Sequence, residues 1–179
     1  MFVPITDDDV PSVVKLMNRA YRGSGAAAGW TSEADFLSGD RTSSDLLRRD
    51  LLAKPEACFL KWVAPSGEML GCVYLAPEAD GAWYLGSLAA DPGQQGSGLG
   101  SEMLGAAEQW VRQRGGTRVR MTVVNVREPL IAWYGRRGYR LTGATEPFPY
   151  DDKRFGTPLR DDLCFVVLEK VLGEPAEQR

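Results

Sequence analysis

The sequence contains no histidine among its 179 residues. Catalytic units of the Ser-His-Asp or Cys-His type are therefore excluded, because both need an imidazole to accept the nucleophile's proton. Cysteine is scarce as well, and no two cysteines stand in Cys-x-x-Cys spacing. Without histidine or paired cysteines we expect no metal site. The three cysteines, Cys58, Cys72 and Cys164, stand singly in apolar runs, which favours reduced thiols in a cytoplasmic protein.

Two further features are missing, a long apolar run and an excess of basic residues. No apolar stretch reaches the roughly 20 residues of a membrane-spanning helix, and no signal peptide opens the chain. The formal net charge is −3, which indicates no general basic surface for nucleic acid. We therefore expect no membrane and no nucleic-acid partner. The length fits one domain over residues 1–172, followed by a disordered tail at 173–179.

Glycine is abundant instead, and three glycines alternate within the stretch 85–104. The stretch begins as an apolar strand, which ends at Asp91-Pro92 because proline cannot continue a central strand. After the glycines, apolar residues recur at helical spacing. The order strand, glycine-rich turn, helix is typical of phosphate binding, because the free N–H groups and the dipole of a helix N-terminus attract an anion.

The turn lacks the marks of two well-known nucleotide motifs. A P-loop needs Lys-Ser/Thr after its last glycine, whereas Gly98 is followed by Leu99-Gly100. A dinucleotide fingerprint needs a third glycine where Ser101 stands, and an acidic residue about 20 positions further on, which residues 115–118 do not supply. A glycine-loop nucleotide-binding protein is therefore disfavoured.

What remains is the pattern Gln/Arg-x-x-Gly-x-Gly/Ala, which residues 95–100 match directly after Leu-Ala-Ala-Asp-Pro. In this setting the pattern closely resembles the acetyl-CoA motif of the GNAT acetyltransferase superfamily. A turn that serves only strand–helix packing needs one or two glycines, not three alternating ones. The resemblance implies acetyl-CoA (coenzyme A) as the cofactor. One of the residues that it implies for cofactor binding, Asn125, could instead be an ordinary turn residue. The implied cofactor-binding residues are Leu88, Ala89, Ala90, Gln95, Gly96, Ser97, Gly98, Leu99, Gly100, Ser101 and Asn125.

The rest of the chain alternates short apolar strands with amphipathic helices. We predict strands at 2–5, 57–63, 68–75, 82–90, 119–124, 139–141 and 163–168. Helices are predicted from a Thr6 cap to about residue 21, at 30–37 and at 42–52. A fourth runs from the glycine-rich turn to about residue 114, and a fifth from Pro129 to Gly138. Residues 22–29 read as a flexible loop, and 143–161 as irregular. This order is similar to the whole GNAT fold, an α/β (α+β) fold with a mixed, mostly antiparallel central sheet, flanked by helices and splayed at the cofactor strand.

Tyr134 is the candidate catalytic residue. It lies in the stretch WYGRRGY, residues 133–139, which resembles the family's Leu-Tyr-x-x-x-Gly-Phe. The family's general-acid tyrosine maps onto Tyr134, and its core aromatic onto Tyr139. A proton donor would assist the departing thiolate of coenzyme A. The alternative for Tyr134 is an ordinary amphipathic aromatic with its ring in the core.

The acceptor side is less defined by sequence. Many relatives place a carboxylate as general base before the glycine-rich turn, but residues 84–87 contain no acid. Candidate bases, each with a solvated carboxylate as the alternative, are Glu33, Asp35, Asp151 and Asp152. Arg127 stands where the family often has an asparagine. Arg136 could meet the adenosine 3′-phosphate, but a solvated helix charge is the favoured interpretation. The acceptor pocket could be lined by Trp30, Glu33, Phe148 and Tyr150, for which loop anchoring is the alternative.

These observations predict an N-acetyltransferase that moves an acetyl group from acetyl-CoA to a primary amine of a small molecule or a peptide. We expect it to act by direct attack of the amine, as a monomer or homodimer. The missing strand carboxylate motivates the alternative, a GNAT-like module that binds acyl-CoA without turnover.

Overall fold

The computed structural model describes residues 1–23 and 29–173. Residues 24–28 of the loop predicted at 22–29, and residues 174–179 of the tail predicted at 173–179, lie outside the described residues.

A seven-stranded sheet forms the centre of the molecule. Its strands are β1 (Phe2–Pro4), β3 (Cys58–Val63), β4 (Met69–Pro77), β5 (Ala82–Ala90), β6 (Arg118–Val124), β7 (Arg140–Pro147) and β9 (Cys164–Val171). Their order across the sheet is β1-β3-β4-β5-β6-β9-β7. All neighbouring strands are antiparallel except β5 and β6. This confirms the mixed, mostly antiparallel sheet expected from the sequence. A separate two-stranded sheet joins β2 (Leu37–Ser38) and β8 (Thr157–Pro158).

Helices cover both faces of the sheet. They are α1 (Val10–Arg22), α2 (Ser44–Ala53), α3 (Leu99–Arg112) and α4 (Glu128–Gly135). Val13 of α1 and Leu47 of α2 pack with Phe59 on one face, while Leu104 of α3 and Tyr134 of α4 pack in the core of the other face. Burial of these apolar side chains stabilises the fold by about 1.5–3 kcal/mol for each large side chain.

The cap predicted at Thr6 is present, at the 3₁₀ turn Asp7–Asp9 that leads into α1. Thr6 N–H donates to the Asp9 carboxylate at 2.8 Å, as in a capping box. The prediction for α2 is one residue off, since Ser43 rather than Thr42 accepts the N–H of Leu46, at 3.3 Å. The helix predicted at 30–37 is wrong, because this segment forms turns and ends in β2.

The strand β7 extends beyond its prediction, into the segment expected to be irregular. It continues to Pro147, with a register shift against β9 between Leu141 and Thr145. Gly143 lies in that shift with φ +85°, a conformation that glycine adopts without strain. Glycine thus bends the strand here instead of ending it.

The sheet opens between β5 and β6. The two strands pair only over Ala82–Tyr84, although β5 continues to Ala90 and β6 to Val124. A β-bulge in β5 accompanies the opening, because the register with β4 shifts near Ser87, whose φ is +49°. This is the splay expected from the sequence, and its edges carry the candidate site.

Candidate functional site

The loop between β5 and α3 has the backbone conformation of an anion-binding turn. Gly96 has φ +83° and Gly98 has φ +86°, and Gly98 is the N-cap of α3. A Cβ at either position would meet no atom within 4 Å. Glycine is therefore required for its left-handed conformation and not for lack of space.

Alternate N–H groups of this loop have no hydrogen-bond partner among the described residues. Those of Gln95, Ser97 and Leu99 are bonded within the loop, each at 3.3 Å. Those of Gly96, Gly98 and Gly100 make no hydrogen bond to any residue that the structure describes. Three unpaired donors at the start of a helix, together with the helix dipole, form a site for an anion such as a phosphate.

These donors face a cavity of about 320 Å³, here called the glycine-loop cavity. Arg137 lines the cavity and adds a positive charge to it. Its guanidinium is held there by the ring of Trp133, whose centre lies 3.6 Å away, and by a hydrogen bond from Nε to Ser101 Oγ at 3.1 Å. Arg136 is exposed and does not line the cavity, as in the favoured interpretation of a solvated charge. The signal for Arg137 is its position four residues after Trp133, just beyond the end of α4.

A second cavity of about 300 Å³ joins the first one. We call it the arginine-lined cavity, because three arginines of its wall carry its positive charge: Arg22, Arg41 and Arg127. The two cavities share four lining residues at their junction, Thr31, Leu88, Leu130 and Tyr134. The opening between β5 and β6 thus leads from the glycine loop past Tyr134 to the arginines.

Tyr134 lies at this junction with only 6% of its surface exposed. Burial raises the pKa of its hydroxyl to about 12, against the opposing effect of the nearby Arg127 guanidinium. No described residue forms a hydrogen bond with the hydroxyl. The group therefore remains protonated over the physiological pH range and can donate its proton to a ligand at the junction.

Tyr21 of α1 meets β5 at the same place. Its hydroxyl donates to the Leu88 carbonyl at 3.2 Å, and burial raises the pKa of this hydroxyl above its usual value. Sequence reasoning did not single out Tyr21, because no local pattern indicates which strand a helical tyrosine reaches.

Glu33 lies in the wall of the arginine-lined cavity, between two arginines. Its Oε2 pairs with Arg22 and its Oε1 with Arg127 Nη1, at 2.9 Å. The exposed fractions of the three side chains are only 7–10%. Because both carboxylate oxygens are engaged by guanidiniums, Glu33 is poorly placed to accept a proton as the general base considered above.

Glu146 is the other acid that lines this cavity among the described residues. Its Oε1 accepts from Arg120 Nη1 at 3.0 Å. Sequence reasoning missed it, because it lies in the part of β7 that was expected to be irregular. The other proposed bases, Asp35, Asp151 and Asp152, do not line either cavity.

Several predicted site residues lie elsewhere. Asn125 Nδ2 donates to the Asp162 carbonyl at 3.0 Å and its Oδ1 accepts from Cys164 N–H at 3.1 Å, so its amide fastens the start of β9. Ala89 is buried in the core beneath α1, and Ser97 Oγ accepts the N–H of Leu99. None of the three lines a cavity. The predicted cofactor residues that do line the glycine-loop cavity are Leu88, Ala90, Gln95, Gly96, Gly98, Leu99, Gly100 and Ser101.

The aromatic residues predicted for an acceptor pocket separate in space. Trp30 lines the glycine-loop cavity, where its main-chain N–H donates to Gln95 Oε1 at 3.0 Å. Phe148 lines the arginine-lined cavity. Tyr150 lines neither, and its hydroxyl accepts the N–H of Leu163 at 2.8 Å, as in the loop-anchoring alternative.

The described residues contain neither a metal-binding cluster nor a membrane-spanning helix. No group of three or more histidine, cysteine, aspartate or glutamate side chains that could hold a metal ion lies within residues 1–23 and 29–173. In the same residues no helix has the length and apolarity needed to cross a bilayer.

Comparisons with known proteins agree with this geometry. The sequence matches the profile of the acetyltransferase (GNAT) family over residues 25–139. No curated protein matches the chain at a significant level.

Solved structures with a similar fold include three acetyltransferases. The ribosomal-protein-S18-alanine N-acetyltransferase from Escherichia coli has 13% identity and a TM-score of 0.69, with 100% of this chain and 97% of that chain covered. The ribosomal-protein-alanine N-acetyltransferase from Brucella melitensis has 14% identity and a TM-score of 0.68, with 96% and 99% covered. The IAA acetyltransferase from Bacillus cereus ATCC 14579 has 14% identity and a TM-score of 0.64, with 96% and 98% covered. At such identities the likeness establishes the fold.

Proposed function

Because the chain belongs to the acetyltransferase (GNAT) family, we propose that it transfers the acetyl group of acetyl-CoA to a primary amine. The observation that carries the proposal is the junction of the two cavities at Tyr134, with a phosphate-type site at one end and space for an acceptor at the other. Acetyl-CoA supplies an acetyl group already activated as a thioester.

The unpaired donors of the glycine-loop cavity suit the phosphate groups of coenzyme A. The N–H groups of Gly96, Gly98 and Gly100 would hold the pyrophosphate, and Arg137 would add charge to the same end. Leu88 and Ala90 line the opening in the sheet, where an extended amide chain such as pantetheine can pair with a strand edge.

Two side chains would handle protons, Tyr134 at the junction and Glu146 in the wall of the arginine-lined cavity. Tyr134 would give its proton to the departing sulfur, because it is buried, protonated and lines both cavities. Glu146 would accept the proton of the attacking amine, directly or through water. Its Oε2, unlike either oxygen of Glu33, is bonded to no described residue.

A thiol-release assay with acetyl-CoA and a panel of amines tests the proposal. We expect release that depends on the amine, and a rise in melting temperature with coenzyme A but not with ATP or NAD. A ligand at 100 times its Kd stabilises the native state by about 2.7 kcal/mol. Equal effects of all three nucleotides, or no effect of coenzyme A, would contradict the proposed cofactor site.

Replacing Gly98 with alanine should weaken coenzyme A binding roughly 10- to 100-fold, the effect of losing one hydrogen bond to a charged group. At φ +86° an alanine is strained by about 1–2 kcal/mol, and relief of the strain would turn the N–H away from the cavity. Calorimetry with coenzyme A measures the change.

Gly105→Ala is the matched control. Gly105 lies inside α3, and a Cβ there meets no atom within 4 Å. This variant should gain about 0.5–1 kcal/mol of stability and bind coenzyme A like the parent. If Gly98→Ala also bound like the parent, the loop N–H groups would not be the anion site.

A further inference from the structure

The wall of the arginine-lined cavity carries more positive than negative charge. Three guanidiniums line it, those of Arg22, Arg41 and Arg127, against the two carboxylates of Glu33 and Glu146. A ligand with several ammonium groups would be repelled by this wall, whereas an anionic group would be attracted. The charges therefore restrict which amines can enter.

Two of the three arginines are engaged by the protein. Arg22 and Arg127 hold opposite oxygens of Glu33. Each also donates to a main-chain carbonyl, Arg22 to Phe155 at 2.6 Å and Arg127 to Thr31. These two side chains build the wall and keep few donors for a ligand.

Arg41 is different, because its guanidinium contacts rings instead of acceptors. It lies 5.5 Å from the ring centre of Tyr21 and 5.4 Å from that of Phe155. Within residues 1–23 and 29–173 it has no ion pair and no side-chain hydrogen bond. Its main-chain N–H donates to Asn18 Oδ1 at 2.8 Å, which anchors the residue. A guanidinium restrained by aromatic rings, with its donors available, is well suited to bind a carboxylate through two parallel hydrogen bonds.

Tyr21 connects Arg41 to the junction of the cavities. The ring of Tyr21 contacts the Arg41 guanidinium, and its hydroxyl donates to the Leu88 carbonyl. Leu88 and Tyr134 line both cavities. Arg41 thus lies about one tyrosine side chain away from the place where an acceptor amine would meet the acetyl group.

We propose that the acceptor is an amine that also carries a carboxylate or a similar anionic group, and that Arg41 binds this group while the amine points to Tyr134. The inference rests on the proposed function, since it names the acceptor class of that reaction. The cavity of about 300 Å³ accommodates a molecule the size of an amino acid or a dipeptide.

The test compares several amino acids with their carboxamides in the thiol-release assay. A carboxamide keeps the shape of the acid but loses the negative charge, and its amine deprotonates more easily, so reactivity alone favours the carboxamide. We expect a higher kcat/KM for the acids. In Arg41→Gln this preference should fall about 10- to 100-fold, mainly through KM.

Two control variants accompany Arg41→Gln. Arg41→Lys keeps the charge without the paired donors and should retain part of the preference. Arg49→Gln removes an exposed arginine of α2 that does not line the cavity, and it should leave the preference unchanged. Equal or better use of carboxamides or polyamines by the parent, or an unchanged preference in Arg41→Gln, would overturn the inference and leave acetyl transfer itself intact.

Failure of the proposed function would look different. In that case no amine of any charge would release thiol, and coenzyme A would not raise the melting temperature. Calorimetry with N-acetyl amino acids then still decides the role of Arg41, because these compounds carry the anion without the amine. Binding that disappears in Arg41→Gln supports the anion site, and absence of binding by the parent overturns it.

Discussion

Replacing Tyr134 with phenylalanine is expected to lower kcat by about 100- to 10,000-fold, the usual contribution of a general acid. The ring would keep its contacts with Trp133 and Tyr139, whose ring centres lie 5.0 and 5.6 Å away. Only the hydroxyl is lost, so the melting temperature and the KM for acetyl-CoA should change little. Steady-state kinetics of thiol release measure the effect.

The pH dependence follows from the raised pKa of this hydroxyl. A group that acts as an acid works below its pKa, which is about 12 for Tyr134. Its contribution is therefore present at all pH values below that point and is lost only above it. We expect the parent rate to rise with pH as the amine loses its proton, with no falling limb from Tyr134 below about pH 11. The phenylalanine variant should show the same rise at a lower rate.

Tyr74→Phe is the control for Tyr134. Tyr74 is a half-buried phenol on β4 that lines neither of the two cavities. Its variant should turn over like the parent. If Tyr134→Phe also kept the parent kcat, Tyr134 would be a core aromatic only. A parent that binds coenzyme A but acetylates no amine would instead support the alternative of a binding module without turnover.

Replacing Glu33 with glutamine is expected to destabilise the fold by about 3–5 kcal/mol, because it leaves two buried guanidiniums without their shared carboxylate. The side chains of Glu33, Arg22 and Arg127 are 8%, 7% and 10% exposed. Since the charges are so little solvated, water cannot replace the lost partner. Urea unfolding of the variant and the parent measures the difference.

Glu68→Gln provides the comparison for Glu33→Gln, because Glu68 is exposed in the turn between β3 and β4. Removal of its charge should alter stability by less than about 0.5 kcal/mol, as for most surface substitutions. A Glu33→Gln variant as stable as the Glu68→Gln variant would show that the buried ion pairs contribute little.

The glycine loop was predictable from sequence because its properties are local. Gly96 and Gly98 supply the left-handed turns, Pro92 helps to end β5, and the first turn of α3 has free N–H groups in any protein. The position of Tyr134 on α4 followed from the resemblance to the GNAT pattern. The crossover from β5 through α3 to β6 explains their parallel pairing, because a connection of this length joins parallel strands.

The charged wall of the acceptor side was not predictable in this way. Glu33 and Arg127 are 94 positions apart in the chain, and the sequence holds many other carboxylates and guanidiniums that could have paired. Glu146 reaches the cavity only because β7 continues past Gly143. Which charges meet depends on how the helices pack on the sheet.

The amino-acid order therefore specified the conformation of the glycine loop, since that depends on residues near one another in the chain. The fold family and the candidate role of Tyr134 followed from motifs that resemble the GNAT pattern. Only the tertiary structure placed Arg41 in the cavity wall with no ion pair to any described residue, and Glu33 between Arg22 and Arg127. The physical reason is that backbone conformation is governed by neighbours in sequence, whereas charge pairing and burial are governed by neighbours in space.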